Sequence, residues 1–274
     1  MTVVDAHVHV WAAASDTRAR GRPRRRGEVV PVVGRAVAQL DAAGIERAVL
    51  IQPSRLGTDH RYLLRAAASN PGRFTTVLLG LPSSAQAADQ AWRAATEDPS
   101  VGGIRLSALV WPDRDWFGPG AAELWGLARS RELSVSVLAA PAQLTGLLAA
   151  AEHYGEVRVL IDHLGCPELA DTADWTIALR RLAACPNVFV KVSALGGMTG
   201  EPWPFAGTWD WVREAVHAVG PDRLFWGSDF PYLGVAQSLA AAQAAGRLCL
   251  AAAGLSTAEV AAVMGGNACR VFWP

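Results

Sequence analysis

His7 and His9 stand one residue apart in Val3-Val-Asp-Ala-His-Val-His-Val-Trp11, a segment whose valines give it the pattern of a buried strand. Side chains alternate along a strand, so the two imidazoles share a face, with Asp5 one step below on the same side. Such a pair can chelate a metal or aim two hydrogen bonds at one substrate oxygen. Asp229 follows the apolar run Leu224-Phe-Trp226 and precedes Phe230-Pro231. A carboxylate there can bind a metal or take a proton from water; the structural alternative is a cap on the next helix. His163, in Ile161-Asp-His-Leu-Gly165, can orient a substrate or add a ligand, or serve as a core histidine bonded to a carbonyl. Arg105 lies beside Gly102 and Gly103, which would let a ligand approach the backbone. Its planar guanidinium suits a substrate carboxylate or, equally, an acid of the surrounding wall. Lys191, the only lysine, alternates with Val190 and Val192 and is expected to pair inward with an acid such as Asp5 or Asp162. His60, His153 and His217 read as surface or packing residues.

Elements must bring these scattered positions together. Short β-branched runs at about 3–9, 47–53, 73–80, 101–107, 133–139, 157–163, 187–194 and 223–229 predict eight strands. Stretches of helical period lie between them at about 31–43, 59–70, 84–97, 120–131, 141–153, 172–185 and 208–219, and a final helical region follows Asp229. Breakers such as Asn70-Pro-Gly72, Gly118-Pro-Gly120 and Gly220-Pro-Asp222 mark the boundaries. Eight strand–helix repeats in 274 residues predict an α/β fold, a single-domain (β/α)8 TIM barrel over residues 1–274. The runner-up, a doubly wound open sheet, would be expected to carry a Gly-rich phosphate turn after the first strand, and no G-x-G-x-x-G is there. In a barrel the ends of strands one, four, six, seven and eight converge on one mouth, which gathers His7, His9, Arg105, His163, Lys191, Ser193 and Asp229.

Basic and acidic residues balance at 25 each, which argues against nucleic acid or an anionic membrane as the partner. The four cysteines form no C-x-x-C pair and read as buried thiols of a reducing compartment. Neither a signal peptide nor a membrane span fits, so a cytoplasmic location is expected. The basic stretch Arg18-Ala-Arg-Gly-Arg-Pro-Arg-Arg-Arg26 falls in the loop after strand one. It reads as a solvated loop, or as a lid that attracts an anionic substrate. Oligomeric state leaves no mark in the sequence.

The motifs Asp5-Ala-His-Val-His-Val-Trp11, Gln52-Pro-Ser54, Gly57-Thr-Asp59, Tyr62-Leu-Leu64, Gly103-Ile-Arg105, Ile161-Asp-His-Leu-Gly165, Val190-Lys-Val-Ser193, Gly227-Ser-Asp-Phe-Pro231 and Gly266-Asn-Ala268 occur in the order seen in a known family. The chain resembles the amidohydrolase-related (amidohydrolase 2) family, and within it looks closest to the sugar-lactonase and 2-pyrone-4,6-dicarboxylate lactonase branch. That resemblance implies a distorted (β/α)8 barrel with a hydrolytic site at His7, His9, His163 and Asp229. In metal-using relatives the paired histidines and the last-strand aspartate bind zinc or another divalent ion; in the pyrone-lactonase type the same residues work without metal. Arg105 matches a substrate-carboxylate arginine of that type. The chain departs from binuclear relatives by having Arg105, not a bridging lysine or glutamate, on strand four. It departs from the family's metal-dependent decarboxylases by lacking a histidine at the end of strand five.

The expected function is hydrolysis of a lactone or related cyclic ester or amide. Asp229 would assist the water, His7 and His9 would polarise the carbonyl with or without one divalent ion, zinc first, and Arg105 would hold a substrate carboxylate where there is one. Two rivals stand beside it. One is a metal-dependent non-oxidative decarboxylase. The other is a non-hydrolytic cyclase, isomerase or ligand-binding barrel, for which the aromatic stretches Trp111 to Phe117 and Trp203 to Trp211 would line an apolar pocket.

Overall fold

Valine, isoleucine and leucine recur in the predicted strands, with Phe225 and Trp226 in the last, and such residues suit strands buried on both faces, as in a parallel sheet covered by helices. The computed structural model describes residues 2–12, 32–83, 89–169, 172–236 and 238–274, and the arginine-rich stretch 18–26 lies outside them. In chain order the elements are β1 (Val4–Val8), α1 (Val33–Ala42), β2 (Arg47–Ile51), α2 (Arg61–Ala68), β3 (Phe74–Leu79), α3 (Gln90–Ala95), β4 (Val101–Ser107), α4 (Ala122–Ser130), β5 (Ser134–Leu138), α5 (Pro141–His153), β6 (Val159–Ile161), α6 (Thr172–Ala183), β7 (Val188–Ser193), α7 (Leu195–Thr199), α8 (Trp209–Val219), β8 (Leu224–Gly227), α9 (Leu239–Ala252), α10 (Thr257–Ala261) and α11 (Asn267–Phe272). All eight strands are parallel neighbours in sequence order, from β1 beside β2 through to β7 beside β8.

Three contacts bring the last strand back to the first. The Asp229 amide donates to the His7 carbonyl at 2.9 Å, the His9 amide donates to the Phe230 carbonyl at 2.7 Å, and Val8 bridges Phe230 in parallel. Gly227 lets the strands approach, because a Cβ there would lie 2.8 Å from His7 Cβ and 2.9 Å from the His7 nitrogen. The result is a nearly closed (β/α)8 TIM barrel, as predicted. No described helix is long and apolar enough to cross a membrane.

Two buried layers hold the barrel. An inner cluster of Val4, Ala6, Val49, Ile51, Val77, Leu160, Phe225, Ala268 and Phe272 fills the N-terminal half of the lumen, where α11 closes it. A larger outer cluster packs strands against helices and includes Val8 and Val10. The split along β1 matters for the site. Strict alternation would send positions 4, 6, 8 and 10 to one layer, but the register shifts between Asp5 and Val8. A bulge of this kind changes which face later residues occupy. The expectation that Asp5 stands below His7 and His9 on their face is therefore corrected. Its carboxylate instead turns to the backbone, where Oδ1 accepts from the amides of His7 at 3.1 Å and Ser228 at 2.8 Å.

Candidate active site

His7 and His9 come from the end of β1, and their Nε2 atoms approach to 3.3 Å. His9 Nδ1 lies 2.8 Å from the Ile51 carbonyl at the end of β2. A carbonyl only accepts, so Nδ1 carries the proton and Nε2 presents a lone pair. Asp229, just past β8, sets its Oδ1 3.4 Å from His9 Nε2, 3.6 Å from His7 Nε2 and 3.9 Å from His163 Nε2. Both Asp229 and His163 sit in the left-handed region, at φ 63 and 53. Non-glycine residues are held there only when their surroundings fix them. Asp229 is fixed by the hydrogen bond its amide donates to the His7 carbonyl, and His163 by Ser193, whose Oγ meets His163 Nδ1 at 2.9 Å and accepts from its amide at 3.3 Å.

Behind His7 lies a second charged group. Asp162, fully buried at the end of β6, receives Lys191 Nζ at 2.9 Å, Ser136 Oγ at 2.7 Å and Arg105 Nε at 3.2 Å. Lys191 thus finds an inward acid as expected, and that acid is Asp162. Arg105 bonds to Asp162 through Nε, which is the wall ion pair foreseen for it. Gly102 and Gly103 serve packing rather than ligand approach: Cβ atoms there would strike Thr75 and Phe272, and Ser134, respectively. His60 is a packing residue whose Nε2 accepts from the Leu79 amide at 3.0 Å. Of the aromatic stretches, Trp116 is buried and donates to the Trp111 carbonyl, whereas Trp203 is about half exposed.

The electrostatics divide the site in two. Burial alone would raise Asp229, but His163, His9 and His7 draw it down to about 2, so it is ionised at neutral pH. Burial likewise opposes ionisation of Asp162, and Lys191, His7 and Arg105 outweigh it, holding the group well below the carboxylate range. Burial pushes His7 and His163 below the ordinary imidazole value, against the pull of Asp162 on His7 and of Asp229 on His163. Asp5, whose second oxygen has no partner, is pushed by burial up to about 7.

The arrangement fits a cation. His9 Nε2 and Asp229 Oδ1 are both acceptors at 3.4 Å, and Asp229 Oδ1 is buried with no hydrogen-bond partner. An unsatisfied buried polar atom costs about 1–3 kcal/mol, and more when charged. One ligand atom each from His7, His9 and Asp229 falls within a common 4.8 Å. A tetrahedral zinc bonded to nitrogen or oxygen at about 2.0–2.1 Å has ligand–ligand edges of about 3.3–3.4 Å, close to the spacings seen.

The structure brings together the residues gathered from the sequence: His7, His9, Arg105, His163, Lys191, Ser193 and Asp229. It adds Ser136 and a central place for Asp162. Ser136 left no signal beyond alternating with valines on β5. Asp162 stood beside His163 in sequence, and its four neighbours come from four other strands.

A barrel of this topology with histidines from its first strand facing an aspartate after its last defines a class, and a family model confirms it: the Amidohydrolase (Amidohydro_2) model matches residues 4–272, so the chain belongs to that family. Among curated proteins the chain is similar to an L-fucono-1,5-lactonase of Burkholderia ambifaria, 31% identical over 244 residues, covering 83% of this chain and 80% of the relative. Among solved structures it is similar to a candidate 2-pyrone-4,6-dicarboxylic acid hydrolase of Pseudomonas putida, with TM-score 0.82, 27% identity and coverage of 99% and 97%. It is also similar to a Burkholderia multivorans amidohydrolase solved with bound zinc, with TM-score 0.76, 25% identity and coverage of 100% and 99%.

Proposed function

We propose that the protein is a hydrolase that opens a lactone or related cyclic ester, with cyclic amides next in line. One observation carries the reading: the His9 lone pair and the unpartnered Asp229 Oδ1 meet at 3.4 Å, with His7 Nε2 beside both. Such a cluster of acceptors is suited to hold a water, which can donate to two of them, or a cation. The lactonase named among the relatives, and family membership over nearly the whole chain, support the same substrate class.

Asp229 takes a proton from water as the water oxygen bonds to the lactone carbonyl carbon. The His9 lone pair and His7 Nε2 face the same centre, so these two residues would act on the carbonyl oxygen, where charge develops, through a bound cation; such stabilisation is typically worth about 3–4 kcal/mol. The ring C–O bond then breaks. The proton held by Asp229 passes to the leaving alkoxide, with His163 Nε2, 3.9 Å from Asp229 Oδ1, placed to relay it. His7, His9 and Asp229 are the residues that would hold one divalent ion, zinc first; bound there, it would polarise the carbonyl and lower the pKa of a bound water to about 7. Arg105 lies on the wall of the same site, and the Asp162 bond engages its Nε, leaving the Nη groups for a substrate carboxylate. The decarboxylase reading gains nothing from β5, whose inward Ser136 serves Asp162.

Elemental analysis of protein purified without chelators, paired with hydrolysis assays on a panel of lactones, tests this. We expect about one equivalent of zinc or manganese and turnover lost to a chelator and restored by metal. Asp229→Asn should lower kcat/KM by about 10²–10⁴-fold in a folded protein. Near-normal turnover in that variant would exclude the mechanism.

A further inference from the structure

Tyr232 lies one short turn beyond Asp229 and is 44% exposed, although the His9 ring it touches is buried. A single apolar residue in solvent is ordinary on a protein surface. Tyr232 is distinguished by its place: its ring stands edge-on to His9, with centroids 5.8 Å apart and planes at 71°. Trp11, two residues past His9 and half-buried, lies with its centroid 6.1 Å from that of Tyr232 and its plane tilted by 33°. Three rings thus lead from the buried centre to the solvent. Their backbone support is fixed. The Tyr232 amide donates to the Asp229 carbonyl at 2.7 Å, and its own carbonyl packs on Gly197, where a Cβ would lie 3.2 Å away.

Phenol and indole rings offer large apolar faces with a negative quadrupole, and they receive another flat ring in offset or tilted stacks. A polyhydroxylated ring would instead need a hydrogen-bond partner for each hydroxyl it buries. The segments that carry and pack against Tyr232, Phe230-Pro-Tyr-Leu233 and Leu195-Gly-Gly-Met-Thr199, hold no charged side chain, and their polar side chains are Thr199 and the Tyr232 phenol. We propose that Trp11 and Tyr232 form an aromatic wall that selects lactones bearing a second, aromatic ring, fused to or carried by the ester ring. The inference rests on His7, His9 and Asp229 being the hydrolytic centre. It assigns the two rings to specificity rather than to the chemistry.

Dihydrocoumarin and δ-valerolactone share a six-membered ester ring, and only the first carries a fused benzene ring. Comparing each variant with wild type on each substrate removes their difference in leaving group. Tyr232→Ala should raise KM for dihydrocoumarin about 5–20-fold more than for δ-valerolactone, the loss expected for one face of an aromatic ring. Any change in kcat should be common to both. Tyr232→Phe, which keeps the ring and removes the hydroxyl, should restore most of the discrimination. An equal change of KM on both substrates overturns the proposal, and so does a phenylalanine variant that behaves like the alanine one. Calorimetric titration of the full-length protein with two unreactive ketones, tetralone and cyclohexanone, separates this from failure of the proposed reaction. Wild type that hydrolyses neither lactone would remove that reaction. The wall would still require that Tyr232→Ala weaken tetralone several-fold more than cyclohexanone; an unchanged ratio, or no binding of tetralone to wild type, overturns it.

Discussion

Arg105 is where two uses of one side chain meet. Its Nε holds Asp162, which is a structural task, and its remaining nitrogens have no partner among the described residues. Hydrogen bonds to a charged partner are worth about 1.5–3 kcal/mol, so losing them from a substrate carboxylate is a tenfold effect or larger. Arg105→Met should therefore raise KM at least about tenfold for lactones that carry a carboxylate and change it little for neutral ones. Steady-state kinetics on a matched pair of substrates checks this. An equal loss on both would leave the guanidinium with the Asp162 bond as its only task.

At the scale of elements, the loops beyond the strand ends hold the site, and single buried groups fix those loops. His60 opens α2 and reaches across to the end of β3, where Nε2 accepts from the Leu79 amide and the ring lies 5.4 Å from Trp92. Burial lowers it to about 4, against the pull of Asp59. In the folded protein it is thus neutral where the unfolded chain, with its ordinary value near 6.5, is protonated. The unfolded state binds more protons between those values, so stability is complete above about pH 6.5 and falls as pH drops towards 4, by about 3 kcal/mol from this residue. Urea denaturation of His60→Gln, which keeps an acceptor for Leu79 and removes the titration, should show a shallower loss of stability across that window than wild type.

Considered whole, the molecule separates chemistry from closure. Polar and charged side chains gather at the C-terminal ends of the strands, while the opposite end of the lumen is apolar and sealed by the C-terminal helix. Phe272 lies under Gly102, beside Phe225, and its carbonyl accepts from Thr75 Oγ1 at 3.3 Å. Phe272→Ala would open a cavity in that seal at a cost of about 3–5 kcal/mol. Chemical denaturation should show a loss of that size. KM should stay near wild type, because the cavity lies at the far end of the barrel from His9.

The repeat of eight strands and their helices was legible because β-branched runs and helical periods alternate without a break, and short-range periodicity is a property of the chain itself. The residue types at the strand ends were legible for the same reason: the ends of parallel barrel strands must converge, so His7, His9, Arg105, His163 and Asp229 could be gathered without coordinates. Asp5 was not, because a bulge shifts register by contacts with neighbouring strands that leave no mark in β1 itself. The glycines beside Arg105 were misread because their purpose is set by Thr75, Ser134 and Phe272, which approach from other elements. Asp162 became the hub of the buried network only in three dimensions, since Arg105, Ser136, Lys191 and His7 reach it from four different strands. A sequence determines what each strand can present; the packing of the closed barrel decides which groups meet, because hydrogen bonds and ion pairs depend on distances of a few ångströms between residues far apart in the chain.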